Sequence, residues 1–413
     1  MMEKLAKPRL RFSEFTEKWN NEVISNISDK ITDGTHDTPK PIKEGIPFLT
    51  AIHVKNGNID FKNCYYLTKE EHDKIYKRCN PQFGDLLMVN IGAGTATSAM
   101  VNVDYEFSLK NVALIKPNKR KINPSFFAQI QRRNSDRIRH QISSGGAQPF
   151  LSLKAIAKLK LIIPSVPEQQ KIASFLTDVD LKITQLTKKK ALLENYKKGI
   201  MQQIFSQEIR FKDDDGEAFP DWVEKKLDTL SSLITKGTTP TSLGFSYLKE
   251  GVNFIKVECI TKSGFINIES TPKVSEQCNL VLKRSELKVN DILFSIAGTL
   301  GRTAIVKEKD VPANTNQALS IIRLKTGVNL DFINYSLNTI FIEKYIFKMV
   351  SVGAQPNLNL QQVGNIKIGI PIISEQTKIA NFLSDIDTKI EVLTSTIVKA
   401  QTFKKGLLQQ MFV

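Results

Sequence analysis

The second half of this chain repeats the first. Glu168-Gln169-Gln170-Lys171-Ile172-Ala173-Ser174-Phe175-Leu176-Thr177-Asp178-Val179-Asp180 matches Glu375-Gln376-Thr377-Lys378-Ile379-Ala380-Asn381-Phe382-Leu383-Ser384-Asp385-Ile386-Asp387 at an offset of 207 residues. The same offset holds without a gap to Lys197-Lys198-Gly199 and Lys404-Lys405-Gly406, then to Phe205 and Phe412, and backwards to Gly146-Ala147-Gln148-Pro149 and Gly353-Ala354-Gln355-Pro356. Upstream the match thins: Gly84-Asp85-Leu86-Leu87 answers Asn290-Asp291-Ile292-Leu293, Asn111-Val112-Ala113-Leu114 answers Asn316-Gln317-Ala318-Leu319, and Arg11-Phe12 and Trp19 answer Arg210-Phe211 and Trp222. A duplicated chain must fold as two like units. A well-matched part implies a shared scaffold. A divergent part implies two different ligands of one kind.

The well-matched parts read as long helices. Ile172, Leu176, Val179, Ile183 and Leu186 follow a 4-3-4-3 spacing, as do Ile379, Leu383, Ile386, Ile390, Leu393 and Ile397, the a/d seam of a coiled coil. Ser165-Val166-Pro167-Glu168 reads as a capping box with proline in the first turn, and Ser374 as the cap of the second helix. Lys197-Lys198 and Lys404-Lys405 suit the negative ends of the helix dipoles. About 38 residues at ~1.5 Å each make a rod of ~57 Å, too long to bury its stripe on one small domain. The simplest partner is the other helix, packed antiparallel. The expected architecture is α+β: two tandem mixed α/β recognition domains, 1–164 and 207–371, separated by two long antiparallel coiled-coil helices, 165–206 and 372–413, with approximate twofold symmetry. Within the globular parts, Leu86–Val89, Val112–Ile115, Ile292–Ser295 and Leu319–Ile322 read as strands. Pro124–Arg139 and Leu330–Val350 each read as one helix, with Phe126, Phe127, Phe341 and Phe347 placed in the core.

Charge points to polyanions. Lys and Arg total 58 against 42 acidic residues, giving +16 and a pI near 9.5, a balance that favours nucleic acid as a partner. No apolar run reaches the ~18 residues of a membrane span. The charged start, Met1 to Leu10, lacks the apolar segment of a signal peptide. Cys64, Cys79, Cys259 and Cys278 form no C-x-x-C pair and read as buried or incidental thiols of a cytoplasmic protein.

Catalytic motifs are missing. There is no G-x-x-x-x-G-K-[ST] loop. Gly92-Ala93-Gly94 continues as Thr-Ala-Thr and reads as a tight loop. Asn80-Pro81-Gln82-Phe83 resembles the Asn-Pro-Pro-aromatic motif of adenine methyltransferases, but it lacks the second proline and is not repeated, so it reads as a turn before a strand. His36, His53, His72 and His140 stand at neither metal nor triad spacing and read as surface or loop residues. Asp213-Asp214-Asp215 before Gly216 reads as a solvated linker. Neither a catalytic nor a metal site is expected.

Taken together, the duplicated Gly-Ala-Gln-Pro, the Ile-Pro turns at 163–164 and 370–371, the Glu-Gln…Lys-Ile-Ala…Phe-Leu…Asp…Asp run and the Lys-Lys-Gly…Gln-Gln…Phe ends resemble the specificity subunits of type I restriction–modification systems. The resemblance spans essentially the whole chain. It implies that each domain reads one half of a bipartite, asymmetric DNA site, that the helices set the gap, and that they dock two modification subunits. Those partners would methylate adenine N6 from S-adenosylmethionine. Two restriction subunits, where present, would translocate and cut DNA with ATP and Mg. The chain itself would bind no cofactor and catalyse neither reaction. A stand-alone DNA methyltransferase and a bivalent protein-binding scaffold are the competing readings.

DNA affinity should come from Lys and Arg on phosphates and selectivity from side chains reaching base edges. The loops where the two halves differ supply candidates: Thr35 and His36, Thr95 and Thr97 in the first half, Lys236, Thr238, Thr239, Thr299 and Arg302 in the second. Arg132 and Arg133, crowded on one helix with Arg137 and Arg139, are candidates for phosphate contact. Gly146, Gln148, Gly353 and Gln355 recur in domains with different targets, which favours a structural or backbone-contact role.

Overall fold

The computed structural model describes residues 7–92, 94–143, 149–261, 263–350 and 356–413. The chain forms two compact units, Met1–Lys188 with Ser395–Val413, and Lys189–Thr394. Each unit therefore owns one stretch of each long helix.

In the first unit, strands Ser28–Asp33, Val112–Pro117, Leu86–Val89 and Ser98–Met100 form a four-stranded sheet in that order, antiparallel throughout. Tyr65–Leu67, Ile46–Leu49 and Ser108–Leu109 form a second sheet, and Asn20–Val23 pairs with Lys160–Ile163. The second unit repeats this plan where sequence similarity is thin. Its sheets run Ser231–Lys236, Leu319–Leu324, Ile292–Ser295, Thr303–Ile305, then Lys273–Val274, Val252–Ile255, Ala313–Thr315, with Val223–Lys226 on Lys367–Ile370. The central strands are unbroken apolar runs because both faces are covered. Leu86 and Met88 enter one core with Phe126, Phe127, Ile172 and Leu176, while Leu87 and Val89 enter another with Phe107 and Leu114. Ile292 and Phe294 against Leu293 divide in the same way.

Turn chemistry survives the divergence. Gly84 (φ 91°) and Asn290 (φ 72°) occupy one left-handed position, which glycine and asparagine tolerate best. The next residue anchors the turn: Asp85 accepts from the Gln82 amide at 2.9 Å and Lys116 Nζ at 2.7 Å, Asp291 from the Lys288 amide at 2.7 Å and both Nε and Nη2 of Arg323 at 2.7 Å. Burial pushes the Asp85 carboxyl above its ordinary range and Lys116 pulls it partly back. A raised pKa in the folded state makes ionisation unfavourable to folding. The penalty is complete above the raised value and vanishes below the unfolded value near 3.8. Wild type should thus gain stability relative to Asp85→Asn as pH falls from neutrality through that window. Denaturant titrations at successive pH values, giving parallel curves for the two proteins, would refute this.

The long helices are Val166–Phe205 and Ile373–Gln410. Ile172 and Leu176 are buried with Leu407, Met411 and Phe412. In the other unit Ile379, Leu383 and Ile386 are buried with Met201 and Ile204. Val179, Ile183, Leu186, Ile390, Leu393 and Ile397 are half-buried. The early turns of one helix thus share a core with the last turns of the other, as in an antiparallel pair. Lys197 Nζ meets Asp387 Oδ1 at 2.6 Å, and Lys404 meets Asp180 in the other unit. These two lysines serve the seam rather than the helix dipole, because each has a carboxylate within reach on the facing helix. Burial against that seam lowers the Lys404 ammonium pKa. Tyr335 Oη donates to Asp387 at 2.7 Å, and burial together with this bond raises its phenol pKa.

Several expectations are corrected. Glu168 does not close a capping box. Both its oxygens are taken by Arg11, at 2.7 Å each, and Trp19 Nε1 adds a bond at 3.2 Å. The stretch 330–350 is two helices, Leu330–Leu337 and Ile340–Met349. Asn338 and Thr339 break it by bonding back to the Asn334 and Ser336 carbonyls at 2.7 and 2.9 Å, the local competition that such side chains offer a helix. Phe126 and Phe127 are core residues, but Phe341 is 45% and Phe347 86% exposed. His53 and His72 are buried, not surface residues. His53 Nδ1 accepts from the Thr50 amide at 2.9 Å, and burial lowers its pKa. His72 bridges Ser108 and Glu106 at 2.9 and 3.3 Å. All four cysteines are free and buried, and burial pushes the Cys79 thiol up to about 12, which makes it inert.

Candidate nucleic-acid interface

Each unit presents the same small frame at one end of its main sheet. Strand Ser28–Asp33 runs into Gly34, and strand Ser231–Lys236 into Gly237. A Cβ at Gly34 would lie 2.1 Å from the Leu109 carbonyl oxygen, and one at Gly237 would lie 1.8 Å from that of Thr315. Only glycine fits such an approach. The tight passage delivers Thr35 and His36, or Thr238 and Thr239, to the end of the sheet. An exposed arginine reaches each loop from beyond a short helix: Arg78 follows Lys69–Tyr76, and Arg284 follows Glu276–Val281.

Within this common frame the chemistry differs. In the first unit Arg78 Nη2 meets Asp33 Oδ1 at 2.5 Å. His36 contacts Asp33 at 3.1 Å and the Asn111 side-chain oxygen at 2.9 Å. Lys110 bonds Thr38. The loop borders a groove of about 340 Å³ lined by Thr35, Asp37, Glu71, Lys74 and Arg78. In the second unit Arg284 Nη2 reaches Thr238 Oγ1 at 3.4 Å and the Lys236 carbonyl at 3.5 Å, and Thr239 bonds Gln317. One loop thus offers histidine, carboxylate and carboxamide groups, and the other hydroxyls, lysine and carboxamide. All are polar groups able to address base edges or phosphates.

The other candidates are placed differently. Thr95 is 1% exposed and donates to the Gly92 and Pro149 carbonyls at 2.6 and 3.0 Å. Thr97 is buried and accepts from Arg139 at 3.3 Å. Thr299 is exposed, while Arg302 is half-buried and donates to the Ile260 carbonyl at 3.1 Å. Arg132 donates to Gln129 at 2.6 Å and lies 3.8 Å from Asp180. Arg133 donates to the Val413 carbonyl at 2.6 Å. Burial lowers the pKa of both guanidinium groups. These two face the unit's own interior, whereas Arg137 on the same helix is exposed. Gly146, Gln148, Gly353 and Gln355 lie outside the described residues. Just beyond them, the Leu151 amide bonds the Asn90 carbonyl at 2.8 Å and the Leu358 amide that of Ile296 at 2.9 Å. The chain following each motif therefore lies beside the loops 92–98 and 298–302.

Arg78 and Arg284 were not among the sequence candidates. Their signal was an offset of 206 residues, the one that also relates Asp85 to Asp291. Among the described residues there is no cluster of three or more metal-ligating side chains and no helix long and apolar enough to cross a membrane.

Two like α+β units thus share one glycine-braced frame, each with its own set of polar side chains around it. The chain belongs to the type I restriction modification DNA specificity family, whose domain matches residues 16–195 and 220–400. It is 25% identical over 413 residues to a putative type I restriction enzyme MjaX specificity subunit of Methanocaldococcus jannaschii, covering 97% of this chain and 94% of that one. It is 23% identical over 403 residues to the EcoBI specificity subunit of Escherichia coli, covering 90% and 80%. In structure it is similar to a type I restriction-modification S subunit from M. genitalium, with a TM-score of 0.62, 14% identity and coverage of 98% and 99%.

Proposed function

We propose that this chain selects the DNA sequence on which a type I restriction–modification complex acts, each globular part reading one half of a bipartite, asymmetric site. The observation that carries the reading is the Gly-Thr loop: one backbone frame in both units, with different exposed side chains around it. Affinity comes from the basic surface, with a steep salt dependence. The long helices set the gap and dock two modification subunits. Those subunits supply adenine-N6 methylation from S-adenosylmethionine. Restriction subunits, where the complex includes them, supply cleavage with ATP and Mg. This chain contributes recognition and assembly, in the cytoplasm.

Mapping methylated adenines in genomic DNA with and without the gene gives the site, and Arg78→Ala then tests the assignment of loops to half-sites. In the assembled complex it should weaken binding by about 5- to 150-fold, the cost of one base or phosphate contact of ~1–3 kcal/mol. Base substitutions in one half-site should then matter less, with the other half-site read as before, and Arg284→Ala should do the converse. Methylation unchanged by loss of the gene would overturn the function. Equal effects of either arginine on both halves would overturn the loop assignment.

A further inference from the structure

In the second unit an apolar groove opens at the end of the sheet that carries the Gly-Thr loop. Lys236 pairs with Ser320, and Ser295 with Leu319. Strands Ser231–Lys236 and Ile292–Ser295 therefore finish at the same end of the sheet, and the loops that follow, 237–239 and 298–302, both leave it there. Helix Ile340–Met349 packs on the second of these loops: a Cβ at Gly301 would lie 2.8 Å from Ile346 Cδ1. Loop and helix enclose a groove of about 440 Å³, lined by Leu300, Gly301, Glu343, Ile346, Phe347 and Val350 among others. The Phe347 ring is 86% exposed.

The first unit is built differently at this place. The Gly301 amide donates to the Ser295 carbonyl at 3.0 Å, and the Ala96 amide to the Val89 carbonyl at 2.8 Å, so the two loops correspond and Leu300 answers Thr95. On the helix, the offset of 207 sets Ile346 and Phe347 against Arg139 and His140. Thr95 is buried, and Arg139 donates to Thr97 at 3.3 Å. One position keeps its chemistry: exposed Lys344 answers exposed Arg137. Both helices thus carry a cation suited to a phosphate, while the apolar groups beside it belong to the second unit.

A duplex offers such a groove one kind of group. Phosphates are charged, and the edges of the bases in the major groove are donors and acceptors, except for the C5 methyl of thymine. Exposed Glu343 on the groove would repel a phosphate, whereas exposed Lys344 and Lys348 flank the ring along the helix and suit the backbone to either side. These cations and the shared end of the sheet favour DNA over a protein as the occupant. We propose that the groove reads a thymine in the second unit's half-site, with Phe347, Ile346 and Leu300 covering its methyl group. Phe347 is then a specificity-determining residue, and the first unit reads no methyl at the matching place. This rests on the reading that each unit addresses its own half-site.

The test uses the assembled complex and duplexes carrying its mapped site, with each thymine in turn replaced by deoxyuridine, a change that removes only the methyl. The wild-type complex should bind one such duplex about 4-fold more weakly, the worth of burying one methyl group. Phe347→Ala changes an exposed position and should keep the fold. It should bind the thymine and deoxyuridine forms of that duplex equally, at or below the wild-type affinity for deoxyuridine, because the methyl and the ring act as one coupled pair. Phe347→Leu keeps an apolar cover and should restore the preference for thymine, and Leu300→Thr gives a second route to its loss. Methyl dependence left unchanged at every thymine by Phe347→Ala would overturn the assignment, as would a half-site for the second unit made of G·C pairs alone. Phe347→Ala that weakened specific and unrelated duplexes alike would make the ring a stacking wedge, and Phe347→Ala that kept DNA affinity but lost a subunit would make the groove a protein contact. Either result overturns the assignment. A wild-type complex that bound the mapped site no better than an unrelated duplex would instead defeat the proposed function itself.

Discussion

Glu168→Ala and Glu375→Ala are each expected to destabilise their unit by about 3–5 kcal/mol, the cost of stranding one member of a buried ion pair. The Glu168 side chain is 1% exposed and that of Arg11 9%. Removing the carboxylate leaves the guanidinium and the Trp19 indole N–H without their shared acceptor. Glu375 is fully buried and receives Arg210 Nη2 at 2.8 Å and Nε at 3.2 Å. The neighbouring glutamines complete each junction. Gln169 accepts from the Asn123 amide at 2.8 Å and donates to the Pro164 carbonyl at 2.9 Å. Gln376 accepts from the Asn329 amide at 3.0 Å and donates to the Pro371 carbonyl at 2.8 Å. The Glu-Gln pair is therefore the clasp that fixes a globular part on the first turn of its long helix. Because the two clasps lie in different units, hydrogen exchange should show protection lost in one unit per variant. Unfolding curves within about 1 kcal/mol of wild type would show that the clasp adds little. The apolar alternative, Arg11→Met with Glu168→Leu, should cost far less than either single change, since it leaves no buried charge unpaired.

The clasp also shows where sequence reading succeeds and where it stops. The motif was plain because it is duplicated, but its role was not. Arg11 stands 157 residues from Glu168, and no local spacing reveals such a partner, so the glutamate's sequence neighbours point to a capping box instead. Arg132 and Arg133 illustrate the same limit. On a helix they look like a basic face, yet their partners are Gln129 and Asp180 for the first and the Val413 carbonyl for the second. The strands Leu86–Val89 and Ile292–Ser295 were legible because a short apolar run has one simple fate, burial on both faces. Phe347 belongs to a separate helix, because helical periodicity does not continue across Asn338 and Thr339, whose side chains bond back to the preceding turn where the first helix ends. The long helices were the most legible part, since a 3-4 seam depends only on residues a turn apart. The candidate loops were legible as positions where the halves differ. Their arginines were not, because Arg78 and Arg284 lie more than forty residues from the loops they reach.

The second large effect is expected at the glycines that brace those loops. Gly34→Ala would set a Cβ 2.1 Å from the Leu109 oxygen, and Gly237→Ala would set one 1.8 Å from the Thr315 oxygen. Both obstacles are backbone, so no rotamer change relieves them. The chain must open there, breaking the Gly34 amide bond to the Val112 carbonyl at 3.1 Å or that of Gly237 to the Asn316 carbonyl at 3.2 Å. The stability cost is that of forcing bulk into a packed site, about 1–3 kcal/mol or somewhat more. That leaves most of a typical domain's stability intact. If these loops make the proposed DNA contacts, the effect on recognition should be larger, because the contacting side chains share one short backbone: Thr35 and His36 with Arg78, or Thr238 and Thr239 with Arg284. A specific protein–DNA complex gains ~4–10 kcal/mol over non-specific binding, and on the proposed bipartite reading the loss of one half-site forfeits a large share of it. For Gly237→Ala, the full site should therefore bind no better than a duplex that keeps only the first unit's half-site, and Gly34→Ala should give the mirror result. Competition binding of the assembled complex, with duplexes carrying one half-site or both, measures this directly. A Gly237→Ala complex that still distinguished the full site from each half-site as wild type does would remove these loops from the reading surface and return attention to the loops at 92–98 and 298–302.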